Sequence, residues 1–176
     1  TGCDRVSAGC DHCYAMTLAK RLKAMGSAKY QNDGDPRTSG PGFDITVHPQ
    51  ALDEPTRWRT PRVVFVNSMS DLFHARVPLD FIRDVFDVCR DTPQHTYQVL
   101  TKRSARMQAY ITRLHDEPVR DTVRRIVAAW PGQAPVPDEI AIPLPNVWLG
   151  VSAERQKEAD ERIPDLLTTP AAIRFV

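Results

Sequence analysis

The sequence lacks an excess of charge of either sign. Lys and Arg total 23 and Asp and Glu 22, which leaves +1 with histidine neutral. A balance this close to zero gives no general attraction to phosphate backbones or anionic lipid, so a charge-driven nucleic-acid coat is disfavoured. No stretch approaches the roughly 18–20 uncharged apolar residues of a membrane helix, and no charged-then-apolar segment opens the chain. No Met stands at the start. The chain begins inside a motif, Thr1-Gly2-Cys3, and ends on a strand-like run, Ala172-Ile173-Arg174-Phe175-Val176. These absences predict a cytoplasmic, soluble piece of a longer protein, cut at both ends, with no membrane partner. What is present suffices for one partial domain: 176 residues, 41% of them AVILMFWYC and 26% charged, can bury a real core.

Three segments follow from the patterning. Residues 1–26 hold a cysteine-rich loop and a helix over 13–25, with Ala15, Leu18, Ala19, Leu22 and Met25 on one face and Gly26 as its stop. Residues 27–61 form an irregular insertion with turn material around Asn32-Asp33-Gly34-Asp35-Pro36. A short strand is expected at Ile45-Thr46-Val47, and a short helix over 50–58 interrupted by Pro55. Residues 62–176 alternate strand, polar turn and helix. Val63-Val64-Phe65-Val66 reads as a strand buried on both faces. A helix from near Pro78 follows, carrying Leu79, Ile82, Val85, Phe86 and Cys89 on one side. Next come a strand at 96–100 and a helix N-capped by Ser104 that bears Met107, Tyr110, Ile111 and Leu114. A helix from Pro118 buries Val119, Val123, Ile126, Val127 and Trp130, and residues 131–145, with five prolines, form a connector. A third strand spans 147–151, a charged helix runs to Pro164, and a fourth strand starts at Ile173. This alternation predicts an α/β fold with parallel strands, a partial (β/α) barrel, with an open doubly wound sheet as the alternative. In both, functional side chains gather beyond the carboxyl ends of the strands: here Asn67 to Asp71, Thr101 to Arg103, and Gly150 to Glu154.

Four cysteines are present. Cys89 sits on the apolar face of its helix and reads as core. Cys3, Cys10 and Cys13 fall within eleven residues immediately before a helix, with Gly2 and Gly9 to let the backbone wrap a small object. An odd number of thiols argues against a disulfide framework, so a metal or cluster site is expected. Zinc held by the three thiols and His12 or His48 is one candidate. A four-iron four-sulfur cluster with one iron left open is the other, and the missing fourth thiol favours it.

Cysteines in a loop ahead of a parallel βα series resemble the radical S-adenosylmethionine enzymes. Thr1-Gly2-Cys3 through Cys10-Asp11-His12-Cys13-Tyr14-Ala15 is similar to the bacteriophage-type three-Cys-motif family. So are Phe65-Val66-Asn67-Ser68-Met69-Ser70-Asp71-Leu72-Phe73-His74, Val99-Leu100-Thr101-Lys102-Arg103 and Trp148-Leu149-Gly150-Val151-Ser152. The first gap between cysteines holds six residues, against three in the common radical pattern. The resemblance implies a [4Fe-4S] cluster on Cys3, Cys10 and Cys13 that chelates S-adenosylmethionine and, fed by an external electron donor, cleaves it to a radical that attacks a substrate. It offers His12 for the adenine, Asn67, Ser68, Ser70 and Asp71 for the methionyl amine, Lys102 and Arg103 for a carboxylate, and Ser152 and Glu154 for the ribose. His74 is weighed as a proton donor and as local packing. Substrate, oligomeric state and any nucleic-acid or protein partner stay open. The competing reading is a non-enzymatic module in which zinc or a cluster staples the loop for partner binding.

Overall fold

The computed structural model describes residues 1–115 and 142–176. The expected helix from Pro118 and residues 131–141 of the expected connector lie outside the described residues. Among the described residues, no helix is long and apolar enough to cross a membrane.

Helix α1 spans Tyr14–Ala24. It stops as its sequence demands: Gly26 and Ser27 donate back to the carbonyls of Lys23 and Leu22, the paired bonds of a Schellman end. Only part of the expected apolar face is covered. Ala15 and Ala19 pack on Phe43, whereas Leu18 and Met25 are exposed. Residues 27–61 contain three single turns of 3-10 helix, Ala28–Tyr30, Pro49–Ala51 and Pro55–Arg57. The helix expected over 50–58 is thus two short turns, each opened by a proline at its start. Ile45-Thr46-Val47 is not a strand; Thr46 exchanges main-chain bonds with Thr1 and no ladder continues beyond it.

Strands β1 (Val63–Phe65), β2 (Thr96–Thr101), β3 (Val147–Val151) and β4 (Ile173–Phe175) form one parallel sheet in the order β1-β2-β3-β4. The order never reverses, so these four strands contain no topological switch point of the doubly wound kind. Between them lie α2 (Leu79–Asp91), α3 (Ser104–His115) and α4 (Gln156–Thr168). Helix α4 runs through Pro164 rather than ending there, giving up the one main-chain bond a proline cannot donate.

The register assigns the two faces of the sheet. Tyr97 pairs with Val64 and Val147, and Val99 with Leu149, so these side chains point the same way. Tyr97, Val99, Val147, Leu149 and Val151 are buried in one core with Ile82, Val85, Phe86 and Cys89 of α2, Met107 and Ile111 of α3, and Leu166 of α4, and Val64 packs partly buried against it. Full burial of each such side chain contributes about 1.5–3 kcal/mol. The opposite face carries Val63, Phe65 and Ile173, all exposed, and the half-buried Leu100, Trp148 and Phe175. The reading of residues 63–66 as buried on both faces is therefore corrected: β1 is an edge strand, and only Val64 and Val66 pack on the core. Leu79, at the first turn of α2, is likewise exposed.

Candidate metal centre

The cysteine loop lies against the carboxyl ends of the strands. Gly2 forms a single parallel bridge with Ser70, just past β1, and its N–H donates to the Met69 carbonyl at 2.9 Å. The backbone there has φ +89°, and a methyl group on Gly2 would collide with the Asp44 carbonyl. Cys3 follows directly, so its starting point is fixed by main-chain geometry. The chain then makes a 3-10 turn, Ala8–Cys10, and enters α1 with Cys13 at the N-cap. Gly9 rests on the Glu154 side chain so closely that a Cβ would overlap it. Both glycines are there for close approach.

Asp71 is the centre of the network beneath this loop, 5% exposed. Its Oδ1 accepts from the Phe73 N–H at 3.0 Å and the Thr101 hydroxyl at 2.6 Å. Its Oδ2 accepts from the Lys102 N–H at 3.2 Å and Arg103 Nη1 at 2.9 Å. Four donors fill the four lone-pair sites of a carboxylate, leaving none for a ligand's ammonium group. Asp71 ties the end of β1 to the end of β2. Arg103, held by it, reaches Cys3 Sγ at 3.4 Å and the Asp4 carbonyl at 3.3 Å.

Glu154 has a matching role at the end of β3. It pairs with Lys102 and, at 3.2 Å, with Arg162, and accepts from the Ser7 hydroxyl at 3.1 Å. Arg162 also donates to the Ser152 carbonyl at 2.6 Å, and the Ser152 N–H donates to Thr101. Lys102 and Glu154 therefore meet each other and the loop. Ser104, expected as a helix cap, donates instead to Asp165 at 2.6 Å and bridges α3 to α4.

The thiols sit in different environments. Burial raises the Cys10 thiol, but hydrogen bonds from Val6 and Ser7 and the Lys102 charge outweigh it, so the thiol ends below its usual value. For Cys3, burial outweighs the Arg103 guanidinium and the thiol is pushed up, the Asp71 charge adding to that rise. Cys13 is half-buried and, like Cys3, packs against the cluster of Ala15, Ala19 and Phe43. Cys89 is core, 2% exposed, its thiol pushed up to about 12 by burial. Soft sulfur donors suit zinc and iron–sulfur clusters alike. As the side chains stand, the Cys3 thiol is turned to Arg103 and to the Asp4 carbonyl. Among the described residues, no three Cys, His, Asp or Glu side chains are gathered to hold a metal ion.

The remaining candidates divide. His12 is exposed on the turn between Cys10 and Cys13. Ser68 is exposed too, and its carbonyl accepts from the Tyr14 hydroxyl. Asn67 and Ser70 bond to each other at 3.2 Å and line a cavity on the helix side of β1. His48 lines that cavity as well and meets the Thr1 hydroxyl at 3.0 Å.

Over residues 1–176 the chain matches the family described as "Protein of unknown function (DUF5131)". It belongs to that family. No curated protein and no solved structure matches it. In this DUF5131 chain the network also uses residues that sequence reasoning passed over. Asp4 accepts from His74 Nε2 at 3.0 Å and from the Thr38 hydroxyl at 2.7 Å. His74 Nδ1 accepts from the Arg76 N–H, which fixes the proton on Nε2. His74 is 4% exposed; it orients the residue next to Cys3. Burial raises the Asp4 carboxyl, but the bonds from Thr38 and His74 bring it below its usual value. Arg162 is the other omission, 5% exposed under Glu154. The Asp4–His74 partnership leaves no spacing in the sequence, because the two are 70 residues apart.

Proposed function

We propose that this chain is the cofactor-holding part of a radical-S-adenosylmethionine-like iron–sulfur protein, built on a partial (β/α) barrel and related to the bacteriophage-type three-Cys-motif proteins. One observation carries the reading: a loop with three cysteines is fastened across the carboxyl ends of β1, β2 and β3, where a parallel α/β fold keeps its chemistry. The sequential strand order supports the barrel. So does a sheet with α2, α3 and α4 on one face and Val63, Phe65 and Ile173 exposed on the other.

When bound, a [4Fe-4S] cluster supplies an open iron and an electron for reductive cleavage of S-adenosylmethionine. The chain's own residues do the rest. Cys3, Cys10 and Cys13 would be the ligands. Arg103 donates to the Cys3 sulfur, and Asp71 fixes Arg103 in that position. Lys102, Glu154 and Arg162 clamp the loop to β3. His12 and Ser68, exposed beside the cysteines, are the candidates of this set for contact with a bound cofactor.

A second reading, a non-enzymatic zinc or cluster staple for partner binding, is favoured by the engagement of Asp71 and Glu154 in internal bonds. The two readings part in one experiment: anaerobic reconstitution with iron and sulfide, then electron paramagnetic resonance with and without S-adenosylmethionine. The enzyme reading expects near four irons per chain and a spectrum that the cofactor changes. Bound zinc without iron, or a spectrum indifferent to the cofactor, supports the staple. Cys10→Ala or Cys13→Ala should abolish iron binding, and Cys89→Ala should leave it intact.

A further inference from the structure

Helix α1 turns to solvent a side that its own packing does not use. Ala15 and Ala19 face Phe43. Beside them Tyr14, Leu18, Arg21 and Met25 follow the i, i+4, i+7, i+11 spacing of a single stripe. Tyr14 is 62% exposed, Leu18 39% and Met25 80%. The Tyr14 hydroxyl is taken up by the Ser68 carbonyl, so this residue offers its ring rather than its polar end.

The charge around the stripe is of one sign. Residues 12–32 hold Lys20, Arg21, Lys23 and Lys29 and no Asp or Glu, in a chain that balances 23 basic with 22 acidic residues. Lys23 is paired with Asp33. Lys20 and Arg21 are exposed and have no ion-pair partner among the described residues. Asp11, on the turn ahead of the helix, lies within the field of Arg155. The helix dipole accounts for Arg21 and Lys23 in the last turn. It does not account for the first turn, where acids are favoured and none stands.

Basic side chains around an exposed ring, an aliphatic group and a thioether are complementary to an acidic surface with an apolar centre. A second copy packed stripe to stripe would set Arg21 against Arg21. A lipid surface calls for a broad apolar face, and Ala15 and Ala19 are already committed to Phe43. The stripe is about three turns long. That is the scale of electron-transfer encounters, which bury less than about 1,200 Å². It also begins at the residue after Cys13, so a protein docked on it stands at the edge of the candidate metal centre.

We propose that the exposed stripe of α1 is the docking surface for an acidic protein that carries one electron. This rests on the proposed function, which needs an external electron donor, and gives that donor a place and a sign of charge. Lys20 and Arg21 steer the carrier's carboxylates, and Tyr14, Leu18 and Met25 supply the dry centre of the contact.

A flavodoxin and a plant-type ferredoxin, both acidic, are the probes, with ovalbumin as an acidic protein that carries no electron. Isothermal titration of the full chain without metal should show saturable binding of at least one carrier. That binding should weaken about tenfold from roughly 20 to 200 mM salt. Reversal of both charges, Lys20→Glu with Arg21→Glu, should weaken it about tenfold, and Leu18→Ser about threefold. Lys157→Glu, on the exposed side of α4, should leave it unchanged. The salt dependence of the wild type is read without any variant. No saturable binding of either carrier, ovalbumin binding as tightly, indifference to the α1 reversal, or equal loss from Lys157→Glu each overturns the inference. So does capture of the chain by phosphatidylserine vesicles in place of the carriers. Because the titration uses no metal, its failure is separate from failure of the proposed function, which iron uptake decides.

Discussion

The cysteine loop is fastened to the ends of the strands by hydrogen bonds and ion pairs, whereas α2, α3 and α4 are fastened to the face of the sheet by apolar burial. Around the loop, Asp71, Arg103, Glu154 and Arg162 are paired almost one donor to one acceptor. Under the helices, Ile82, Met107, Ile111 and Leu149 are essentially inaccessible to water and make no directional bonds through their side chains. The difference teaches how one sheet carries two kinds of attachment. Apolar packing is non-directional and tolerates small shifts, while a charge network holds a backbone loop in one place and fails abruptly when a single member is lost.

That contrast can be broken from either side. The largest effect is expected for Asp71→Ala, which strands Arg103 and removes the acceptor for Thr101. It should lower the unfolding free energy by about 4 kcal/mol in urea titration. A loss under about 1 kcal/mol would mean that Arg103 re-pairs and the junction is not electrostatic. Ile82→Ala, at a site 0% exposed, should cost about 3 kcal/mol. Native-state labelling of Cys10 by a disulfide reagent should be unchanged in that variant, since the loop does not depend on α2. Glu154→Gln should behave in the opposite way. Its global cost is expected near 1 kcal/mol, but labelling of Cys10 should rise about fivefold as the clamp from Lys102 and Arg162 weakens. If labelling follows global stability in both variants, loop and core are one cooperative unit and the contrast dissolves.

The smallest effect concerns acid. The hydrogen bond from Arg155 holds the Glu158 carboxyl at about 2, against 4.5 for a free one. Its folded value is depressed, so the pair's contribution is fully present above pH 4.5 and is lost as the pH falls from there through 2. Arg155→Ala should flatten the stability profile in that window. An unaltered profile would assign the acid limb to other carboxylates, with Asp35 beside Arg37, also held at about 2, the first to examine.

Much of the framework was legible as periodicity. The spacing of Ile82, Val85, Phe86 and Cys89 announced α2, and Thr96 to Leu100 and Val147 to Val151 announced β2 and β3, because each pattern reports which side faces the core. Position within the sheet was not legible. Four apolar residues from Val63 to Val66 look like a doubly buried strand, yet their sheet partner lies on one side only, and sequence does not say which strand stands at an edge. Leu18, Met25 and Leu79 misled for the same reason: periodicity marks a face without saying how far the cover extends. The three cysteines and the polar strand ends were visible as residue types. Their pairing was not, since Asp4 with His74 depends on where the loop lands and Glu154 with Arg162 on how α4 packs at the end of β3. That landing is decided by close approaches at Gly2 and Gly9.

Arg103 divides one rigid, planar group between a sulfur and a carboxylate. A guanidinium cannot swivel towards one neighbour without altering its hold on the other. The Cys3 sulfur and the carboxylate that joins the first two strands are therefore one side chain apart.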